Sequence, residues 1–314
     1  MNAILFALIQ PILIILLAPL AVGIIRKCKA RFQNRRGASV FQPYWMLLVL
    51  CRKEMTVTKH GSWVFRIVPF VVLICAIYLA VLVPTLGYGG LLTAGHNNIF
   101  LIAAVLMIGA LFLVLGGMDV ASAFGGMGAS REMTLAALVE PALIMVLVTL
   151  GLATQNWQLD GIMQTFVTQP WYATAPFLIF TFLALICVIL SENARYPVDN
   201  PATHLELTMV HEAMILEYSG PYLAMLELGS AIKLAALALF LVNVLFPVGM
   251  ISPASSLIGI IGGIVFMVIK LMIAMFGVAC IESLIVKMRF YRMQEFMTTA
   301  YVLSLIGIAL TVAF

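Results

Sequence analysis

The chain has 314 residues, 64% of them apolar and only 10% charged, with a mean hydropathy of +1.14 and a formal net charge of +4. Soluble domains are about 45–50% apolar, so these values exclude an ordinary water-soluble module and point to a protein that lives in a membrane. The bases are not spread over a water-facing surface, which counts against a nucleic-acid partner.

A membrane span needs about 20 mostly apolar residues. In chain order the sequence predicts eight, at about 3–25, 68–86, 99–116, 134–154, 174–190, 222–247, 256–286 and 297–314. Runs of this length satisfy their backbone groups as helices, whereas barrel strands are shorter and alternate. The predicted fold class is all-α: a polytopic membrane protein forming one helical domain over 1–314. The first span has no basic segment before it and its bases follow it, so it is not a secretory signal.

The loop from about 26 to 67 carries ten bases, including Arg31, Arg35 and Arg36. The third loop (117–133) adds Arg131, the fifth (191–221) adds Arg195, and the seventh (287–296) adds Lys287, Arg289 and Arg292. Fifteen of the 17 basic residues therefore lie in odd-numbered loops, and the even loops and both termini have none. Positive charge stays on the cytoplasmic side, so both termini are expected outside the cell membrane. The other two bases, Lys233 and Lys270, fall inside spans. Five cysteines, none in a C-x-x-C pair, are read as small core residues.

The fifth loop, SENARYPVDNPATHLELTMVHEAMILEYSG, gathers Glu192, Asp199, Glu206, Glu212 and Glu217. Asp199-Asn200-Pro201 has the form of a helix start, with a capping side chain before proline. Nothing from there to Leu216 breaks a helix, which places Glu206 and Glu217 on nearly one face. The interleaved residues are too apolar for a free surface loop, so these carboxylates are expected to be buried and costly, and are therefore candidates for function. Glu140, Glu227, Lys233, Lys270 and Glu282, lying in or at the ends of spans, join them as candidates for an ion path. His204 and His211 lack a third ligand, and His211-Glu212 lacks the second histidine of H-E-x-x-H, so no metal site is assigned. The glycine-rich GGMDVASAFGGMGASRE has no phosphate-loop lysine and is read as a close-packed loop.

Four stretches together resemble the respiratory complex I subunit 1 / formate hydrogenlyase subunit 4 family: ARFQNRRGASVFQ, GGMDVASAFGGMGASREMTLAALVEP, ENARYPVDNPATHLEL and EYSG. The resemblance covers nearly the whole chain and implies eight spans with both termini outside. It also implies a carboxylate path leading from a cytoplasmic redox module into the membrane, with Glu140, Glu192, Asp199, Glu206 and Glu217 at the matching positions. Ala202 and His204 stand where the quinone branch is acidic, and GASRE and NPATHLELTM resemble the hydrogenase branch.

The expected role is therefore that of a non-catalytic subunit in the cell (inner) membrane. It would couple ions or protons and anchor a nickel–iron hydrogenase or formate hydrogenlyase module. Expected partners are the hydrogenase large and small subunits, iron–sulfur subunits and antiporter-like membrane subunits, with Arg31, Arg35, Arg36, Arg131 and Arg195 docking the cytoplasmic ones. The chain itself is expected to hold no metal or cofactor; the nickel–iron site and clusters would sit on partners. Quinone enters only in an alternative reading, as the quinone-chamber subunit of a complex I. A self-contained secondary transporter is the remaining alternative, disfavoured by the one-sided charge.

Overall fold

The computed structural model describes residues 2–58, 61–89, 97–169, 172, 176, 178–199, 210–252, 257–286, 288 and 290–313. Among these the helices are α1 (Asn2–Phe32), α2 (Gln42–Arg52), α3 (Trp63–Leu82), α4 (Phe100–Asp119), α5 (Ala123–Thr154), α6 (Leu159–Thr168), α7 (Leu178–Glu192), α8 (His211–Ile215), α9 (Gly220–Leu245), α10 (Leu257–Leu284) and α11 (Phe290–Ala313). Seven of the described helices are long and apolar enough to cross a membrane, rather than the eight expected. The remaining apolar helix, α7, has 15 described residues and is shorter.

Several boundaries differ from the sequence expectation. The third loop shrinks to the few residues between α4 and α5, because α5 starts eleven residues before the predicted 134. Ser122 caps it, accepting a bond from Gly125 N–H at 3.2 Å. Arg131 and Glu132 are therefore helical residues, not loop residues. Hydropathy missed this turn because glycine and charged residues dilute it, although neither breaks a helix that packing holds. The α6 helix was also not foreseen. It buries Leu159, Ile162, Met163 and Phe166, which have the spacing of one helix face. Cys51 is exposed on α2 and is no core residue.

The connections sort into two groups. At the basic end, Ser62 donates to Asp119 through both its backbone N–H (2.7 Å) and its hydroxyl (2.6 Å), Thr56 N–H donates to Ser219 Oγ at 3.0 Å, and Met288 N–H donates to the Pro197 carbonyl at 3.0 Å. At the opposite end, Ile99 N–H donates to Trp157 at 3.0 Å, Leu159 N–H to Asn97 at 2.9 Å, and Tyr88 N–H to Ile251 at 3.2 Å. The odd loops thus touch one another, and so do the even loops.

Packing arranges α3, α4, α5 and α9 around a common interior. The α7 and α11 helices pack on the far side of α5, and α1 and α10 pack beside α9. The glycine-rich run lies where α4 and α5 meet α8. A Cβ on Gly117 would meet Met214 at 3.0–3.4 Å, and one on Gly128 would meet Ala213 Cβ and the Val210 carbonyl at 2.9 Å. These glycines serve close packing, as expected, but between helices rather than within a loop.

Candidate functional site

The candidate site is built where α5, α7, α8 and α9 converge near the basic end. The α7 helix closes with Ala194 in the left-handed region (φ 47°), and Arg195 N–H returns to the Leu190 carbonyl at 2.9 Å. This reversal satisfies an orphan carbonyl and turns Arg195 away from the helix axis. Arg195 then donates to Glu282 Oε1 at 3.3 Å, while Lys29 Nζ lies 2.8 Å from Glu282 Oε2. The Lys29 ammonium also stands 5.1 Å from the centre of the Tyr196 ring. The Glu282 side chain is wholly buried, so two cations hold it. The cluster ties α1, the segment after α7, and α10 together.

One turn deeper, Lys233 of α9 donates to Glu192 at the end of α7, at 3.2 Å. Both belong to the predicted ion path, and the structure brings them together. Asp199 is 2% exposed, and its Oδ2 accepts from the Val210 and His211 backbone N–H groups at 3.3 and 3.4 Å. It does cap a helix, but the helix is α8, which begins twelve residues downstream. Because Val210 bends and α8 ends at Ile215, no uninterrupted helix runs from 200 to 216. Glu217 lies in the turn after α8 and is exposed rather than buried as expected; the face it was expected to share with Glu206 involves residues outside those described. Glu206 lies outside the described residues, as do Asn200, Pro201 and His204.

Two cavities flank this cluster. The larger, about 60 Å³, has an apolar body from α3, α4 and α9 and a polar end made by Glu132, His211, Ser230 and Lys233. The smaller, about 20 Å³, is lined by Glu132, Ser191, Glu192 and Asp199 among others. A water needs at least ~10–15 Å³ of such space, so there is room for roughly four waters in one and one in the other. Sequence reasoning missed Glu132 and gave His211 no part in the ion path. The signal for Glu132 was its position in GASRE, four residues after Gly128 and so on the same helix face.

Burial, reinforced by the Lys233 ammonium, pushes His211 down to about 4, against the pull of Asp199. Its neighbour Glu212 is pushed up to about 7 by burial and by the charges of Glu227 and Asp199, with Arg26 opposing. The surroundings of the short helix thus shift both groups toward their neutral forms, His211 from above and Glu212 from below.

The other predicted residues are dispersed. Glu140 and Glu227 are partly buried on α5 and α9. Lys270 is 8% exposed and stands apart from the carboxylates: its ammonium donates to Asn243 Oδ1 at 2.8 Å, and the Asn243 amide donates to the Pro84 and Thr85 carbonyls. Arg31, Arg35 and Arg36 are exposed at the basic end, and Arg131 is partly buried on α5. Among the described residues no group of three or more His, Cys, Asp or Glu is placed to hold a metal ion.

A family model described as NADH dehydrogenase matches residues 4–312. Hydrogenase-4 component C of Escherichia coli (strain K12) is 32% identical over 251 residues, covering 78% of this chain and 76% of its own. Formate hydrogenlyase subunit 4 of the same strain is 28% identical, covering 91% and 92%. A subunit of the NADH-quinone oxidoreductase of Syntrophotalea carbinolica is 25% identical, covering 92% and 88%. Among solved structures, a chain of the membrane-bound sulfane sulfur reductase, an archaeal respiratory membrane complex, superposes with a TM-score of 0.86 at 18% identity. The match covers 99% of this chain and 100% of that one, and at this identity it speaks to the fold alone.

Proposed function

The chain belongs to the NADH dehydrogenase subunit 1 family, and from that premise we propose that it is the membrane-anchor and ion- or proton-coupling subunit of an energy-converting hydrogenase or formate hydrogenlyase complex. The similarity to hydrogenase-4 component C supports the hydrogenase branch. The observation that carries the coupling role is the Lys233–Glu192 ion pair, set between two cavities inside the helix bundle. Ionisable residues inside a membrane protein tend to line a water path or pair with one another; this pair, each member lining one of the two cavities, supports that reading.

In this reading α7 completes an eighth crossing of the cell (inner) membrane, both termini are outside, and the basic end faces the cytoplasm. Exposed Arg31, Arg35 and Arg36, with Arg131 and Arg195 nearer the carboxylates, meet the hydrogenase large and small subunits and the iron–sulfur subunits. Those partners supply the nickel–iron site and the clusters, and antiporter-like subunits dock laterally. Glu140, Glu192, Asp199, Glu206, Glu217, Glu227, Lys233, Lys270 and Glu282 remain the proposed path set, with Glu192 and Lys233 at its centre.

The test uses the complex in sealed vesicles. Glu192→Gln and Lys233→Met are expected to leave the complex assembled and dye-linked hydrogenase activity intact, while ion movement coupled to turnover falls. Undiminished coupling in both variants would overturn the role. A second reading, the quinone-chamber subunit of a complex I, is favoured by the similarity to the NADH-quinone oxidoreductase protein over most of the chain. Nickel in the complex purified through this chain decides for the hydrogenase; a nickel-free complex reducing quinone decides for the alternative.

A further inference from the structure

The end of the bundle opposite the basic one holds a second polar cluster, built without carboxylates. The chain leaves α3 through Val83, Pro84 and Thr85, and all three carbonyls accept from buried side-chain amides. Gln10 donates to Val83 at 2.7 Å, and Asn243 donates to Pro84 at 3.0 Å and to Thr85 at 2.9 Å. With its amide protons spent there, Asn243 turns its Oδ1 toward Lys270, whose ammonium donates to it at 2.8 Å. The Thr85 hydroxyl is buried here as well and, among the described residues, has no hydrogen-bond partner. Among the same residues the ion pairs use Lys29, Arg195 and Lys233, and Lys270 is paired with no carboxylate.

The local fold explains how an ammonium without a counter-ion is held there. Lys270 stands midway along α10, and a helical side chain points back toward the N-terminus of its helix, here the end opposite the basic one. Its ammonium thus reaches the last turn of α9, beside the exit of α3. Helix C-termini carry partial negative charge and attract cations. Neither α3 nor α9 has a base in its own last turn, and Lys270 brings one from a third helix. Helix C-terminal ends and unwound carbonyls are also the means by which membrane proteins hold sodium ions. Every oxygen in this cluster is neutral, so the site suits one positive charge; a divalent ion would double the buried charge.

We propose that this cluster is a monovalent-cation site, which the Lys270 ammonium fills as a tethered cation and which sodium occupies in its place when the amine is neutral. Asn243 Oδ1 then serves the ion instead of the ammonium. The Thr85 hydroxyl and the second lone pairs of the Pro84 and Thr85 carbonyls supply further oxygens. The exchange balances: one proton leaves the Lys270 nitrogen for water, one sodium ion enters, and the buried charge is unchanged. That constancy is what permits exchange in so apolar a place, where leaving a charge uncompensated is costly. The chain thereby has an activity of its own, sodium–proton exchange at one end. The inference does not rest on the hydrogenase reading, and its test reads binding to this chain alone.

The experiment follows the thermal unfolding midpoint of the full chain in detergent, in sodium chloride and in choline chloride at equal ionic strength. Choline is too large for the site. Lys270→Ala removes the tethered cation and leaves the oxygens, so sodium should raise its midpoint by about 3 °C for each tenfold rise in concentration, and choline should not. Adding Asn243→Leu should abolish that dependence. Adding Thr85→Val instead, which keeps the shape of the side chain, should weaken it. The parent chain covers the case in which Lys270→Ala does not fold. Its midpoint should be the same in both salts at pH 7 and higher in sodium at about pH 10, where lysine loses its proton. Lys270→Arg, which keeps its proton throughout, should show no sodium effect at either pH. Equal midpoints for Lys270→Ala in the two salts, a sodium effect that survives Asn243→Leu, or a parent chain indifferent to sodium at both pH values would each overturn the inference.

Discussion

Glu282 and Lys270 are both charges on α10, and they meet different surroundings. Glu282 is held by Lys29 and Arg195 with its side chain fully buried. Removing one member of a buried ion cluster leaves the others desolvated and unpaired, at a cost of about 3–5 kcal/mol. Glu282→Leu is therefore expected to lower the thermal unfolding midpoint of the purified protein markedly, and Glu282→Gln, which still accepts hydrogen bonds, to lower it less. An unchanged midpoint in Glu282→Leu would show that the cluster is not holding the basic end. Asp119 gives a smaller test. It accepts bonds from Ser62 N–H, the Ser62 hydroxyl and Phe65 N–H, so it serves the start of α3 from the end of α4. Losing such a cap costs roughly 0.5–2 kcal/mol, and Asp119→Ala should show a correspondingly modest fall. The sequence reveals which residues are charged but not these partners, because pairing across helices depends on how the helices pack. Glu132 was passed over for the same reason. It lay in what read as a loop, and only the early start of α5 turns it inward.

At the scale of an element, α8 is five residues long and would not stand alone in water, where even alanine-rich helices need about 12–15 residues. It persists because Asp199 caps it and the glycines of α4 and α5 receive its buried residues Ala213 and Met214. Gly128→Leu is expected to displace α8 and abolish assembly, measured as loss of the complex from membranes. Its titratable groups give a pH signature. Glu212, raised to about 7, is stabilising when neutral, so its contribution is full below the ordinary carboxylate range and is lost as pH rises toward 7. His211, lowered to about 4, works in the other direction: its contribution is full above 6.5 and is lost as pH falls toward 4. Glu212→Gln should therefore raise the unfolding midpoint at pH 8 relative to the parent chain and leave it unchanged at pH 4. A parallel shift at both values would refute the assignment. The sequence made the Asp199 cap legible as a cap but not its target, since a side chain can serve a helix across a loop. The spacing of Leu159, Ile162, Met163 and Phe166 was available for α6, and was hidden by the search for spans long enough to cross lipid.

The whole molecule was the most legible scale. Apolar length and the placement of bases depend on the solvent, lipid or water, and not on any particular contact, so they survive without knowledge of packing. The contacts among odd loops and among even loops follow the same alternation. A reporter fused after Phe314 is expected to be active outside the cytoplasm, and cytoplasmic activity would overturn the proposed orientation. Arg35→Ala with Arg36→Ala is expected to release the hydrogenase module from membranes; a module that stays bound would leave these bases as orientation signals alone. One helix links the two ends. The Gln10 amide of α1 donates to the Val83 carbonyl at one end, and Lys29 holds Glu282 at the other. The anchors stand 19 positions apart, about 28 Å of helix, interrupted by Pro11 and Pro19. Proline deletes a rung of the helical ladder and lowers its stiffness there. Tyr44 of α2 donates to the Leu16 carbonyl in the turn before Pro19, so the basic loop grips this rod beside one of its two prolines. In the proposed complex, a load on that loop would bend α1 at this turn rather than slide the whole rod. Pro19→Ala, which restores the missing rung, is expected to stiffen the joint and lower coupled ion movement while leaving the module attached; equal coupling in that variant would show that no force is passed along α1.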